Sequence, residues 1–202
     1  MIFLNFLVGL VVNFIGYIPL GNINLTVVQL TVNRGVKHAM YFIVSFAIVE
    51  FFFTYAIMYF ADWFADQKNL MLWLDWLLVV ILVVMAVITW RNTAKAKQAD
   101  YSRTDSIKYG IILGFINPMQ VPFWMVWGTY LLSHDWIISG KGALAVLSAG
   151  SSLGAFLSLF CFARFSNYLN EKFAFSSKVI NHTISVVLAL IAIVLFIRNI
   201  WR

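Results

Sequence analysis

Long apolar segments separated by short polar gaps make up most of the chain. Six such segments lie at residues 2–32, 39–61, 70–90, 109–132, 142–165 and 179–200. A transmembrane helix needs about 20 consecutive, mostly apolar residues. The pattern therefore predicts an all-α integral membrane protein with six transmembrane helices.

The composition agrees with this pattern and excludes a soluble protein. Hydrophobic residues occupy 62% of the 202 positions and charged residues 11%, whereas soluble domains carry about 25% charged residues. Six spans leave room for short connections alone, so we expect one transmembrane domain over residues 1–202. Its halves lie at about 1–90 and 108–202, joined by a linker at 91–107.

The basic residues predict how the chain crosses the membrane. Of the 14 Lys and Arg residues, ten fall in alternate gaps on one face and four on the other. The positive-inside rule makes the richer face cytoplasmic, which places both termini outside and the linker inside. The linker could also bind a partner or anionic lipid headgroups, although a solvated loop explains it more simply. With the basic residues assigned to topology, nucleic acid is not an expected partner.

Motifs for enzyme chemistry are missing from the sequence. Cys161 is the single cysteine, which excludes an intramolecular disulfide and a CxxC redox pair. No HExxH, GxSxG, P-loop or metal-ligand spacing occurs. We therefore expect no enzyme activity, no cofactor and no metal site. The expected partners are a small polar substrate, protons and the lipid bilayer, and the sequence is compatible with a homo-oligomer.

Two similar motifs stand at equivalent points of the two halves. Residues 16–22 read GYIPLGN and residues 114–120 read GFINPMQ, so that Gly16 aligns with Gly114 and Asn22 with Gln120. Each motif belongs to the first of three spans, and because three is odd the halves must cross the bilayer in opposite directions. The sequence thus predicts a 3+3 inverted repeat, an arrangement that secondary transporters use.

Both motifs also predict a broken helix, in spans 1 and 4. Proline removes a backbone donor and clashes with the preceding turn, and non-helical backbone at membrane depth is tolerated only inside protein or beside a water-filled cavity. Helix ends at such a break can bind charged groups of a substrate, although a lone proline more often serves packing. We expect the substrate-binding residues at these breaks: Pro19, Gly21, Asn22, Asn24, Asn117, Pro118 and Gln120.

Glu50 is the one acidic residue near the middle of a predicted span. A charge at this depth costs about 2.5–3.5 kcal/mol, so acids found there usually face a cavity or a partner. Such an acid can bind and release a proton or pair with a substrate amine, and we predict a proton-coupling role. The alternative is a protonated glutamic acid that joins helices by hydrogen bonding.

Two further features support weaker hypotheses. Trp124, Trp127 and Tyr130 recur every three residues after the second break and could line a substrate path, but a lipid-facing or packing stripe is equally compatible with this spacing. His182 could relay protons, although an interfacial histidine without a role explains it more simply.

The motifs resemble those of the lysine exporter (LysE/RhtB-type) family. The first break of that family typically reads Pro-Gly-Pro, and here Pro19 matches its first proline while Leu20 and Gly21 depart from the rest. The family's span 4 commonly carries Asn-Pro, which Asn117 and Pro118 match, and the Arg34–Lys37 turn follows the first break at a similar distance. The resemblance implies export of amino acids or related small polar metabolites from the bacterial cytoplasm by proton antiport, across the inner membrane. The competing interpretations are a channel and a non-transporting membrane protein, either a scaffold or a membrane-embedded enzyme.

Overall fold

The structure is a computed structural model that describes residues 2–18, 21–65, 102–117, 120–133, 135–167 and 177–201, and ten positions between 76 and 91. All regular structure in these residues is helical, which confirms the all-α prediction. The ten positions are helical too, and we call them the 76–91 segment. The seven other helices are α1 (Ile2–Gly16), α2 (Asn22–Arg34), α3 (Val36–Ala65), α4 (Arg103–Ile116), α5 (Gln120–Ser133), α6 (Lys141–Arg164) and α7 (Ser177–Ile200).

Two of the described helices are long and apolar enough to cross a bilayer alone. They are α3, over Val36–Asp62, and α6, over Lys141–Arg164. A third candidate span forms if α4 and α5, which meet at a bend of 52°, are taken together. The chain is therefore a helical membrane protein with two or three clear candidate spans in its described part, and most of the predicted span at 70–90 lies outside that part.

Helix α1 ends at the first residue of the first motif and α2 begins at the last. Gly16 is the last residue of α1 and Asn22 the first of α2. Likewise, α4 ends at Ile116 and α5 begins at Gln120. Proline cannot donate the backbone hydrogen bond that would continue a helix, and one proline lies in each interval. Pro19 and Pro118 themselves lie outside the described residues.

Glycine residues hold α1 against α6 at very short range. A side-chain carbon at Gly9 would collide with the Leu147 carbonyl, and one at Gly150 would collide with the Phe6 carbonyl. Gly154 meets the α1 backbone in the same way one turn further along. Small residues are the usual means of bringing membrane helices this close. This explains the stripe of glycine, alanine and serine along α6.

A second glycine contact joins α4 to α3. Gly110 lies against the Phe42 carbonyl and the Ser45 hydroxyl, and a side-chain carbon at Gly114 would lie 2.8 Å from Val49 Cγ1. In both contacts the residue numbers rise together along the two helices, so the partners run parallel. Each pair also joins a helix from one half of the chain to a helix from the other.

Two apolar clusters lie above and below the middle of α3. One packs α2 against α3 and α6 and includes Val27, Phe46 and Leu159. The other packs α5 against α3 and α6 and includes Met58 and Trp124. Glu50 lies between Phe46 and Met58 along α3, so one apolar cluster lies on each side of the acid along the helix axis.

Candidate functional site around Glu50

Glu50 is completely buried in the middle of α3, with 0% of its surface exposed. Three neutral side chains donate hydrogen bonds to its carboxyl group. Asn13 Nδ2 lies 2.8 Å from Oε1, while Tyr17 Oη and Gln120 Nε2 lie 3.0 and 2.7 Å from Oε2. Asn13 and Tyr17 belong to the region before the first break, whereas Gln120 follows the second. The acid therefore joins both motifs at one point.

Asn13 extends this network to α6. Its Nδ2 also lies 3.0 Å from the Ser151 carbonyl and 2.9 Å from Ser151 Oγ. Ser151 Oγ in turn lies 3.1 Å from Thr54 Oγ1, one turn after Glu50 on α3. All of these groups are buried, so the polar layer lies in the interior of the helix bundle.

Tyr17 connects the two breaks directly. Its hydroxyl donates to Glu50 and accepts a hydrogen bond of 3.2 Å from Asn117 Nδ2, the residue that ends α4. Its carbonyl accepts a hydrogen bond of 2.6 Å from Asn24 Nδ2 on α2. Its ring packs edge-on against Phe46, with 5.6 Å between the ring centroids. Tyr17 thus contacts Glu50 on α3, Asn117 next to the end of α4, and Asn24 on α2.

The residues expected from the sequence fall into three groups. Gln120 contacts Glu50 directly, while Asn117 and Asn24 reach it through Tyr17. Gly21 and Asn22 cap and begin α2: Gly21 has extended backbone angles, and Asn22 is exposed. None of the described residues lies within 4 Å of a side-chain carbon placed at Gly21.

Sequence reasoning did not identify Asn13, Tyr17, Thr54 or Ser151 as part of this region, whereas Trp124 was considered for a substrate path. A usable signal for Asn13 is nevertheless present. The buried positions of α1 are Asn5, Gly9 and Asn13, four residues apart, whereas large apolar residues such as Phe3, 70% exposed, cover the other face. In a bilayer the apolar face of a helix contacts lipid, so a polar and small stripe marks the face that contacts protein.

Two polar atoms beside the acid are buried and form no hydrogen bond with the part of the chain that the structure describes. They are the carboxamide Oε1 of Gln120 and the indole Nε1 of Trp124, which lies one helical turn further along α5. Both side chains are at least 97% buried. Leaving a buried polar group unpaired costs roughly 1–3 kcal/mol. The Gln120 acceptor is therefore available to a ligand, and the indole N–H, which faces the Glu50 carboxyl without a full hydrogen bond, can donate to a ligand placed beside the acid.

The three aromatic residues that recur every three positions along α5 differ in burial. Trp124 is fully buried, but Trp127 and Tyr130 are 41% and 44% exposed. Among the described residues no three His, Cys, Asp or Glu side chains are grouped so that they could hold a metal ion. The described site consists of one carboxylic acid surrounded by neutral carboxamide and hydroxyl groups.

Comparison with known families identifies the type of protein. The family model described as LysE type translocator matches residues 14–199. The chain belongs to the LysE type translocator family. The match includes Tyr17, Glu50 and Gln120, and it indicates a multi-pass membrane transporter of amino acids or related compounds. No curated protein and no solved structure matches the chain significantly.

Proposed function

We propose that this LysE type translocator exports amino acids or related small polar metabolites from the cytoplasm by proton antiport, with Glu50 as the coupling residue. The observation that carries the proposal is the set of hydrogen bonds from Asn13, Tyr17 and Gln120 to the Glu50 carboxyl. These bonds link one proton-binding group to the two interrupted helices. A change in the protonation of Glu50 would therefore alter hydrogen bonds at both interrupted helices.

The helix contacts support six spans arranged as a 3+3 inverted repeat. Helix α1 opens the first half and packs parallel to α6 of the second, while α4 opens the second half and packs parallel to α3 of the first. The 76–91 segment packs on α7, so the third spans of the halves also meet. A two-fold axis in the membrane plane relates contacts in this way. In this arrangement α1 with α2, and α4 with α5, are the broken first spans.

Antiport follows if the proton and the substrate compete for the same carboxylate. An ionised Glu50 can pair with a substrate ammonium group, whereas a protonated Glu50 cannot. A ligand shifts an equilibrium only through its different affinities for the two states. Proton uptake from outside would then release substrate there, and proton release inside would restore binding.

Gln120 and Trp124 supply the second part of the proposed substrate site. The unpaired Gln120 Oε1 can accept a hydrogen bond from an amine or hydroxyl group, and the unpaired Trp124 Nε1 can donate one to an oxygen. A substrate with an amine and a nearby oxygen acceptor satisfies both atoms and the acid. Pro19, Gly21, Asn22, Asn24, Asn117 and Pro118 shape the surrounding backbone in this proposal.

The two apolar clusters would act as the closed gates of the site. The α2 cluster stands on the side of the Lys/Arg-rich end, which we assign to the cytoplasm, and the α5 cluster on the side of the termini. Since the glycine contacts hold α1 and α4 in place, α2 and α5 are the parts free to turn about the breaks. We place the protein in a bacterial inner membrane with both termini outside and the 91–107 linker inside.

The test is export by cells that produce the chain, its Glu50→Gln variant or its Asp62→Asn variant. Amino acids and small amines released into the medium are measured by mass spectrometry, and the substrate found is then tested in everted vesicles with and without a pH gradient. We expect export by the wild type and by Asp62→Asn, which changes an acid on the same helix outside the network. Glu50→Gln should lose the gradient-driven flux.

Equal export by Glu50→Gln and the wild type would refute the coupling role. Flux that does not respond to the pH gradient would favour a channel. Identical media from cells with and without the protein, across the whole amino-acid and amine panel, would contradict export of this substrate class.

A further inference from the structure

A narrow lateral slot lies between the 76–91 segment and α7, away from the Glu50 site. Its volume is about 580 Å³. Small buried residues, Ala86, Ser185 and Ala192, form its floor, while Val83 and Ile193 stand exposed at its rims. The slot is partly open along its length, and in the six-span arrangement proposed above its two helices are the third spans of the halves.

The two helices that form the slot pack in a regular antiparallel register. Trp90 and His182 stack at one end with 3.9 Å between ring centroids, and Ser185 Oγ donates a hydrogen bond of 2.6 Å to the Ala86 carbonyl. Beyond them Trp76 meets the ring of Phe196, with 5.5 Å between centroids. The aromatic pair at Trp90 therefore marks one end of the slot.

The slot has the depth of one bilayer leaflet. Its lining on α7 runs from Ser185 to Phe196, a rise of about 17 Å at 1.5 Å per residue. One leaflet has about 15 Å of hydrocarbon, half of the roughly 30 Å core. Arg91 and Trp90 lie at one end of this length, so the slot runs from the headgroup region towards the bilayer centre.

The shape and lining of the slot favour a slender apolar occupant. Its volume of about 580 Å³ is spread along about 17 Å of helix, and its lining is mostly apolar. A single extended hydrocarbon chain is the slender apolar occupant that a membrane supplies.

We propose that the slot binds one acyl chain of an anionic phospholipid, with the lipid phosphate at Arg91. Arg91 is exposed at the mouth, and a guanidinium group binds phosphate oxygens through charge-assisted hydrogen bonds. The Arg91 end is the Lys/Arg-rich end that the sequence assigns to the cytoplasm, where the leaflet carries the anionic lipids. Trp90 has the amphipathic ring that is typical of this depth.

The experiment is native mass spectrometry of the whole protein in detergent, titrated separately with phosphatidylglycerol and with phosphatidylcholine of the same chains. We expect one tightly held phosphatidylglycerol on the wild type. Ala86→Leu fills the floor and should remove that lipid, whereas Arg91→Gln should reduce the preference for phosphatidylglycerol about fivefold. Lys141→Gln, a loss of charge at the other end of the bundle, is the matched control and should bind like the wild type.

If Ala86→Leu does not fold, Ala189→Leu fills the same slot from α7. Retention of the lipid by the variant with the filled slot would overturn the site. Equal affinity for both lipids in the wild type would overturn the assignment to an anionic headgroup. A dimer that disappears on filling the slot would show a second copy of the chain there instead, and would likewise contradict the proposal. None of these outcomes depends on whether Glu50 couples protons.

Discussion

Asn13 and Glu50, 37 positions apart in the chain, form a buried hydrogen bond of 2.8 Å. The bond joins α1 to the middle of α3, and the same amide also reaches Ser151 on α6. One side chain thus holds three helices at the level of the acid. Because an amide donor can stabilise an acid without introducing a second charge, the helices can pack around Glu50 in an apolar interior.

Replacing Asn13 by leucine should destabilise the protein. The change leaves a carboxyl oxygen of Glu50 and the polar groups of Ser151 without their donor, which costs roughly 1–3 kcal/mol for an unpaired buried group. We expect a lower midpoint of thermal unfolding in detergent. Val11→Leu, an exposed position on the same helix, is the control and should leave the midpoint unchanged. An unaltered midpoint for Asn13→Leu would mean that the bond adds no stability.

Replacing Tyr17 by phenylalanine should impair transport while keeping the ring contact with Phe46. The hydroxyl bonds to Glu50 and Asn117 are lost. A hydrogen bond to a charged group contributes roughly 1.5–3 kcal/mol, which corresponds to about a 10- to 100-fold loss of flux if it is needed in the cycle. Flux is measured in proteoliposomes with the substrate found by the export screen. Tyr59→Phe, an exposed tyrosine on α3, should transport normally, and wild-type flux in Tyr17→Phe would remove Tyr17 from the mechanism.

Two glycines of α6 should respond differently to replacement by alanine, because Gly150 packs against α1 and Gly142 does not. Gly150→Ala places a methyl group against the Phe6 carbonyl and should destabilise the protein by about 1–3 kcal/mol. Gly142→Ala, on the same helix, meets nothing within 4 Å and should be neutral or slightly stabilising, because alanine is the better helix former. Thermal unfolding of the two variants side by side checks this. Equal effects at the two positions would contradict the close packing of α1 on α6.

Trp124→Phe should affect substrate binding more than folding. Among the described residues the indole N–H forms no full hydrogen bond, although it faces the Glu50 carboxyl, so its removal leaves the three hydrogen bonds to Glu50 in place. If that N–H binds the substrate, the KM for transport should rise several-fold while the unfolding midpoint changes much less than in Asn13→Leu. A variant with unchanged KM would show that Trp124 serves packing alone.

The sequence determines the local features of this protein. Apolar runs long enough to cross a bilayer predict membrane helices, and α3 and α6 fall where two of these runs were expected. Glu50 was identified because a charge in the middle of an apolar segment is costly wherever the helix lies. The intervals between helices at residues 17–21 and 117–119 each contain a proline. The sequence predicts them because proline lacks the backbone N–H that would continue a helix.

Only the tertiary structure decides which side chains meet. Gln120 is 70 positions from Glu50 and bonds to it because α4 and α5 are placed by the packing of Gly110 and Gly114 on α3. Asn13 is one of a stripe of polar and small residues on α1, and Tyr17 follows the end of that helix. The stripe marks a face that contacts protein, but only the packing of α1 on α6 shows that both side chains reach Glu50. Hydropathy describes the preference of each single residue for lipid or water. The register between two helices depends instead on how the surfaces of both helices fit together. For this reason the sequence alone indicates the acid and the breaks, and the fold assembles them into one site.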